Sequence, residues 1–140
     1  MSASRWLLLL GSTLDSDERI HAALQELQAL GEVALRAPIQ HGPGSRDARR
    51  SYFNALVELA FDGSADALVA ALKAIETRLG RRRDGEEVAI DIDLLAREVD
   101  GTWCADAHAL DKREFEQPHA VALLRAAGIE VDTTPRSKPP

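Results

Sequence analysis

Tyr52-Phe53-Asn54-Ala55-Leu56-Val57-Glu58-Leu59-Ala60-Phe61 alternates with a period of two. Phe53, Ala55, Val57, Leu59 and Phe61 fall on one face of a strand, and Tyr52, Asn54, Leu56 and Glu58 on the other. Asp62-Gly63 breaks the strand. Ser64 then reads as the cap of a helix with apolar positions Leu68, Leu72, Ile75 and Leu79, stopped by Gly80.

Working outward from that unit, Trp6–Leu10 is a continuous apolar run closed by Gly11, the pattern of a central strand buried on both faces. Asp15 with Glu18 reads as a capping box. Ile20, Ala23, Leu24, Leu27 and Leu30 then predict a helix over 16–30, with Gly31 as its stop. Glu32–Ile39 reads as a strand with Val33, Leu35, Ala37 and Ile39 on one face. Gln40–Arg50 is a polar loop carrying Arg46, Arg49 and Arg50, and loops of that length are often functional.

Downstream, Arg81–Glu87 is a charged loop. Val88–Leu95 reads as a strand with Ile90, Ile92 and Leu94 on one face and Asp91 and Asp93 on the other. Residues 97–111 have no clear period. Lys112–Ala127 reads as partly helical around Pro118, and Thr133–Pro140 as a frayed tail. The order βαββαβ predicts an α+β, ferredoxin-like sandwich: an antiparallel sheet with two helices on one face and a C-terminal helical extension. One domain over 1–132 and a tail over 133–140 are expected.

Composition agrees with a packed globular chain. It has 140 residues, 45% of them hydrophobic and only 4% aromatic, so aliphatic side chains must fill the core. Lys and Arg number 17 against 23 Asp and Glu, a net charge of −6 that argues against general nucleic-acid binding. The single cysteine, Cys104, excludes a disulfide framework and a cysteine-based zinc site. The run at Trp6–Leu10 is too short for a membrane span, and its five residues fall short of a signal-peptide core of ~7–15. A cytoplasmic monomer with small-molecule partners, no nucleic acid and no membrane is expected.

The period-two rule gathers Tyr52, Asn54, Asp91 and Asp93 on the sheet face away from the two helices. Asp91 and Asp93 are roughly 6.6 Å apart along a strand. Magnesium commonly takes one or two carboxylates together with substrate phosphates. The alternative is a solvated strand face, against which stands the mutual repulsion of two like charges. Arg81, Arg82 and Arg83, with the arginines of the other loop, suit the oxygens of a polyphosphate, or else are solvated loop charge offset by Asp84, Glu86 and Glu87. Gly11-Ser12-Thr13 is a weak phosphate-loop signal, and no P-loop or dinucleotide motif occurs. No nucleophile-elbow order supports hydrolase chemistry.

Taken in order and spacing, four pieces resemble the 6-hydroxymethyl-7,8-dihydropterin pyrophosphokinases of folate biosynthesis over roughly residues 6–130. They are Gly11-Ser12-Thr13-Leu14, Tyr52-Phe53-Asn54-Ala55, Ile75-Glu76 leading to Gly80-Arg81-Arg82-Arg83, and Ile90-Asp91-Ile92-Asp93-Leu94-Leu95. The resemblance implies transfer of pyrophosphate from ATP to a pterin hydroxymethyl group, with AMP released. It implies that Asp91 and Asp93 hold two magnesium ions. It implies that Tyr52, Asn54 and Phe115 bind the pterin, and that Glu76, Arg81, Arg83, His108 and Arg113 serve the nucleotide. Arg81 and Arg83 would also join the aspartates in catalysis.

The chain departs from the family pattern at several places. Thr13 replaces Asn, Ala107 replaces Pro, and the loop before the aspartates is about three residues short. That loop lacks the family's Trp and Arg, with Val88 at the Arg position. The alternative these departures raise is a paralogue that binds a nucleotide or pterin-like ligand without the transfer. A third class, a single-strand nucleic-acid module, would need several open-face aromatics, and Tyr52 stands alone there.

Overall fold

The computed structural model describes residues 3–13, 16–43, 51–80 and 89–134. The chain forms a mixed α+β structure. Strands β1 (Ser4–Ser12), β2 (Val33–Leu35), β3 (Gln40–Pro43), β4 (Ser51–Phe61), β5 (Asp91–Val99), β6 (Thr102–Ala105) and β7 (Val131–Asp132) build one seven-stranded sheet. Its helices are α1 (Glu18–Gln28), α2 (Ala65–Arg78), α3 (Ala107–Asp111) and α4 (Pro118–Ala127), with a 3-10 turn at Glu114–Glu116. The strand order is β2-β4-β1-β5-β6-β7, with β3 also paired to β4. Every pairing is antiparallel except β6 with β7.

The alternation expected along Tyr52–Phe61 is found. Ala55, Val57 and Leu59 join Trp6, Leu8 and Leu10 of β1 in the core beneath α1 and α2, whereas Leu56 joins Leu7 and Leu9 in a second core on the opposite face. That second core is closed by Ala109 of α3 and by Ala120 and Leu123 of α4. β1 is therefore buried on both sides, which is why it reads as an unbroken apolar run. Each such fully buried aliphatic side chain contributes about 1.5–3 kcal/mol.

The helices behave as their sequences dictate, with local exceptions. The Ser64 hydroxyl accepts from the Ala67 amide, and Gly80 closes α2 at φ +91°. α1 is shorter than the expected 16–30 and has no side-chain cap at Asp17; Asp15 lies outside the described residues. Gly31 is not in the left-handed region. It is required for close approach, since a Cβ there would stand 1.7 Å from the Ala60 carbonyl oxygen.

Four sequence expectations need correction. Glu32–Ile39 is not one strand with one face: β2 ends at Leu35, and pairing resumes only at Gln40. Val33 and Ile39 pack beneath the helices, Ala37 enters the opposite core, and Leu35 is 44% exposed. Pro38 lacks the amide needed to continue the ladder.

The strand expected over 88–95 runs as Asp91–Val99, and a bulge at Leu95 turns both Leu95 and Ala96 to the second core. Residues 97–111 are ordered structure: Asp100-Gly101, both at positive φ, turns β5 into β6, and α3 follows. The C-terminal extension is more than helical, because it adds β6 and β7 to the sheet. Within it, Lys112–Ala127 divides into the 3-10 turn and α4, with Pro118 at the first turn of α4, where its missing amide is harmless.

Among the described residues, no helix is long and apolar enough to cross a membrane.

Candidate active site

The helices of the extension cover the part of the second sheet face around Leu7, Leu9 and Leu56 and leave the end near Gly11 accessible. Strand register lines up a polar row there. Gln40 pairs with Asn54, Asn54 with Gly11, and Gly11 with Asp91. One step along the same face, Leu9 lies between Leu56 and Asp93. Two strand spacings separate Asn54 from Asp91, about 10 Å. Gly11 is the low point between them, and a Cβ on it would meet the Asn54 Oδ1 at 3.2 Å.

Two cavities flank that glycine. The first, about 450 Å³, lies beside the part of β5 that β6 does not cover, between α2 and α3. Asp91, Asp93, Glu76, His108, Lys73 and Lys112 are among its lining. The second, about 310 Å³, is lined by Gln40, His41, Gly42, Tyr52 and Asn54 from the sheet and by Pro118 and His119 from α4.

The two aspartates form a coupled pair. Burial pushes the Asp93 carboxyl up to about 8, and the neighbouring Asp91 carboxylate, its hydrogen bond and Glu114 push the same way. Lys112 opposes the shift with its Nζ 3.7 Å from an Asp93 oxygen. Glu114 is itself raised, chiefly by burial. Burial and the neighbouring Asp91 carboxylate thus favour the protonated form of Asp93. A hard divalent ion is the chemical species that replaces such a proton, and two carboxylates plus phosphate oxygens suit magnesium. Among the described residues no cluster of three or more His, Cys, Asp or Glu could hold a metal by itself.

The surrounding bonds hold β5 in place. Glu76 is 3% exposed, and its Oε2 accepts from the Ile92 amide at 2.7 Å, tying α2 to the strand between the two aspartates. The Ser12 hydroxyl donates to the Ala89 carbonyl at 2.8 Å, anchoring the approach to Asp91 on the end of β1. That bond gives Ser12 a structural task in place of the weak phosphate-loop signal. Asp106 caps α3 by accepting from the amides of His108 and Ala109, which orients His108 at the cavity.

The structure thus brings Asp91, Asp93, Glu76 and His108 to one cavity, and Tyr52 and Asn54 to the other. Phe115 does not line either. It packs on the second core and borders a groove with Leu124 and Ile129. Arg113 is exposed, turned toward Glu116 at 3.9 Å, and outside both linings. Arg81, Arg82 and Arg83, Val88 and the arginines at 46, 49 and 50 lie outside the described residues.

Sequence reasoning missed Lys73, Lys112, Glu114, Gln40 and His119. The spacing of Lys73 to Glu76 and of His108 to Lys112, three and four residues on a helix, is the signal that could have found the lysines.

Fold and side chains together define the class: an α+β protein with an acidic cleft at the uncovered edge of β5, between α2 and α3, and a neighbouring polar cavity on the sheet face away from α1 and α2. A family model described as 7,8-dihydro-6-hydroxymethylpterin-pyrophosphokinase matches residues 7–127, and the chain belongs to that family. The family is one of pyrophosphokinases in folate biosynthesis. No curated protein matches the chain.

Proposed function

We propose that this protein transfers the terminal pyrophosphoryl unit of ATP to the hydroxymethyl group of 6-hydroxymethyl-7,8-dihydropterin, releasing AMP. The observation that carries the reading is the polar row Gln40–Asn54–Gly11–Asp91, which sets a polar cavity about 10 Å from an acidic pair. The heterocycle would lie against Tyr52 and Asn54. Its hydroxymethyl arm would pass over Gly11, where no side chain blocks the way to the aspartates. The core strand order and the two helices beneath it support the ferredoxin-like layout.

The amide of Asn54, at 9% exposure, has no hydrogen-bond partner among the described residues. No buried side-chain nitrogen or oxygen of the described residues lacks a partner, so the amide atoms of Asn54 are open to the cavity, where a ligand that supplies both a donor and an acceptor would pair with them. Asp91 and Asp93 would hold two magnesium ions, which when bound neutralise the phosphate oxygens and fix them in line. Glu76 keeps β5 at the height that presents both carboxylates. Lys73 and Lys112 border the same cavity and would face the negative phosphates, a task that the family resemblance also gives to Arg81 and Arg83.

The substrate oxygen forms a bond to the β-phosphorus, the bond from that phosphorus to the α-phosphate oxygen breaks, and AMP leaves. The hydroxyl proton departs, and no residue is assigned as its acceptor. The test is AMP formation by the purified protein with ATP, magnesium and the pterin. AMP that requires the pterin and is lost in Asp91→Ala supports the reading. A folded protein that binds the ligands and forms no AMP overturns it in favour of the non-transferring paralogue.

A further inference from the structure

We propose that His119 is a specificity-determining residue of the heterocycle cavity, reading the ring of the acceptor together with Asn54. The proposal rests on the pterin reading above and adds a residue to it. His119 stands in the first turn of α4, one position before Ala120, which is buried in the second core. Ala120 and Leu123 fix that helix against the sheet, so the imidazole is held at the cavity wall over the floor made by Gln40, Tyr52 and Asn54.

The imidazole is half-buried, yet among the described residues it has no hydrogen-bond partner and no ion pair. No side-chain nitrogen or oxygen of the described residues is both buried and unpartnered, so the ring nitrogens of His119 are open to the cavity and available to a bound polar group. Among the described residues no Asp, Glu, Lys or Arg lines this cavity, in contrast with its acidic neighbour. Burial also pushes the His119 pKa down, which keeps the ring neutral. A neutral imidazole turns a single nitrogen toward any one edge, since its two ring nitrogens point apart, and so adds one donor or one acceptor beside the amide of Asn54 for the polar edge of an uncharged nitrogen heterocycle. A cavity with this lining discriminates against an acceptor that lacks those ring groups.

The experiment measures the fluorescence titration of 6-hydroxymethyl-7,8-dihydropterin into the full chain, with and without a non-transferring ATP analogue and magnesium. Nucleotide affinity and thermal midpoint are recorded in parallel. His119→Ala is expected to weaken pterin binding about tenfold, with nucleotide affinity and midpoint unchanged. His119→Gln, which keeps a donor and an acceptor, is expected to recover most of the loss, and His119→Phe, which keeps the ring shape alone, is not. Wild-type affinity in His119→Ala, or rescue by Phe equal to that by Gln, overturns the assignment while leaving the pterin reading intact. Failure of the wild-type protein to bind pterin under any of these conditions overturns both.

Discussion

Replacing Asp93 by Asn removes a proton-binding site whose cost is visible in the pH dependence of folding. In the folded protein the Asp93 carboxyl is raised from 3.8 to about 8, first by burial and then by Asp91. Only 19% of its side-chain surface remains exposed, so solvent screens this shift weakly. Between pH 4 and 8 the native state therefore holds up to one proton more than the unfolded chain. The sign follows: stability is greatest below the unfolded value and falls as pH rises through the folded value.

One proton corresponds to a slope of about 1.4 kcal/mol per pH unit, so from pH 5 to 7 wild type loses up to about 3 kcal/mol relative to Asp93→Asn. Urea unfolding of both proteins at pH 5, 6, 7 and 8, in chelator, measures that difference directly. Saturating magnesium is expected to flatten the wild-type curve, because the ion takes the place of the proton, and to leave the variant nearly unmoved. Parallel curves for the two proteins, with or without magnesium, would refute the coupled-pair account of the site.

Other consequences concern single contacts. Gly31→Ala drives a Cβ into the Ala60 carbonyl and is expected to cost about 3 kcal/mol in denaturant unfolding, with no change in ligand affinity if the protein stays folded. Glu76→Ala leaves the buried Ile92 amide without its acceptor and should cost about 2–3 kcal/mol, whereas Glu76→Gln, which still presents an acceptor oxygen, should cost less. Gly11→Ala crowds the Asn54 amide at 3.2 Å; a weaker pterin affinity with a nearly unchanged thermal midpoint is the expected outcome by titration and melting.

The parts of the fold that were legible in sequence are those where one physical rule acts alone. β4 alternates because one face packs on helices and the other on the extension, and β1 reads as solid apolar because both its faces are covered. Asp91 and Asp93 stood out because carboxylates at alternate positions of a strand are costly without a cation or a proton. The parts that were illegible are those where two rules compete. Pro38 split an apolar alternation that otherwise looked continuous. The bulge at Leu95 inverted the faces of β5, so residues beyond it lost their period.

The Asp100-Gly101 turn carried a hairpin signal, but the positions beside it, Arg97, Glu98 and Thr102, are polar and break the apolar alternation that would have marked the two strands. His119 and Lys112 come from the extension and meet the site only in three dimensions. Phe115, assigned to the pterin by resemblance, borders a different groove. The polar cavity beside Asn54 has Pro118 and His119 from the same extension.

Phosphorus NMR of a completed reaction tests most directly whether the acidic pair and the polar cavity serve one transfer from ATP to a pterin. The account predicts AMP and a pterin diphosphate ester in equal amounts, with neither formed by Asp91→Ala. ADP with a monophosphate ester, or unchanged ATP in the presence of folded, pterin-bound protein, would contradict it.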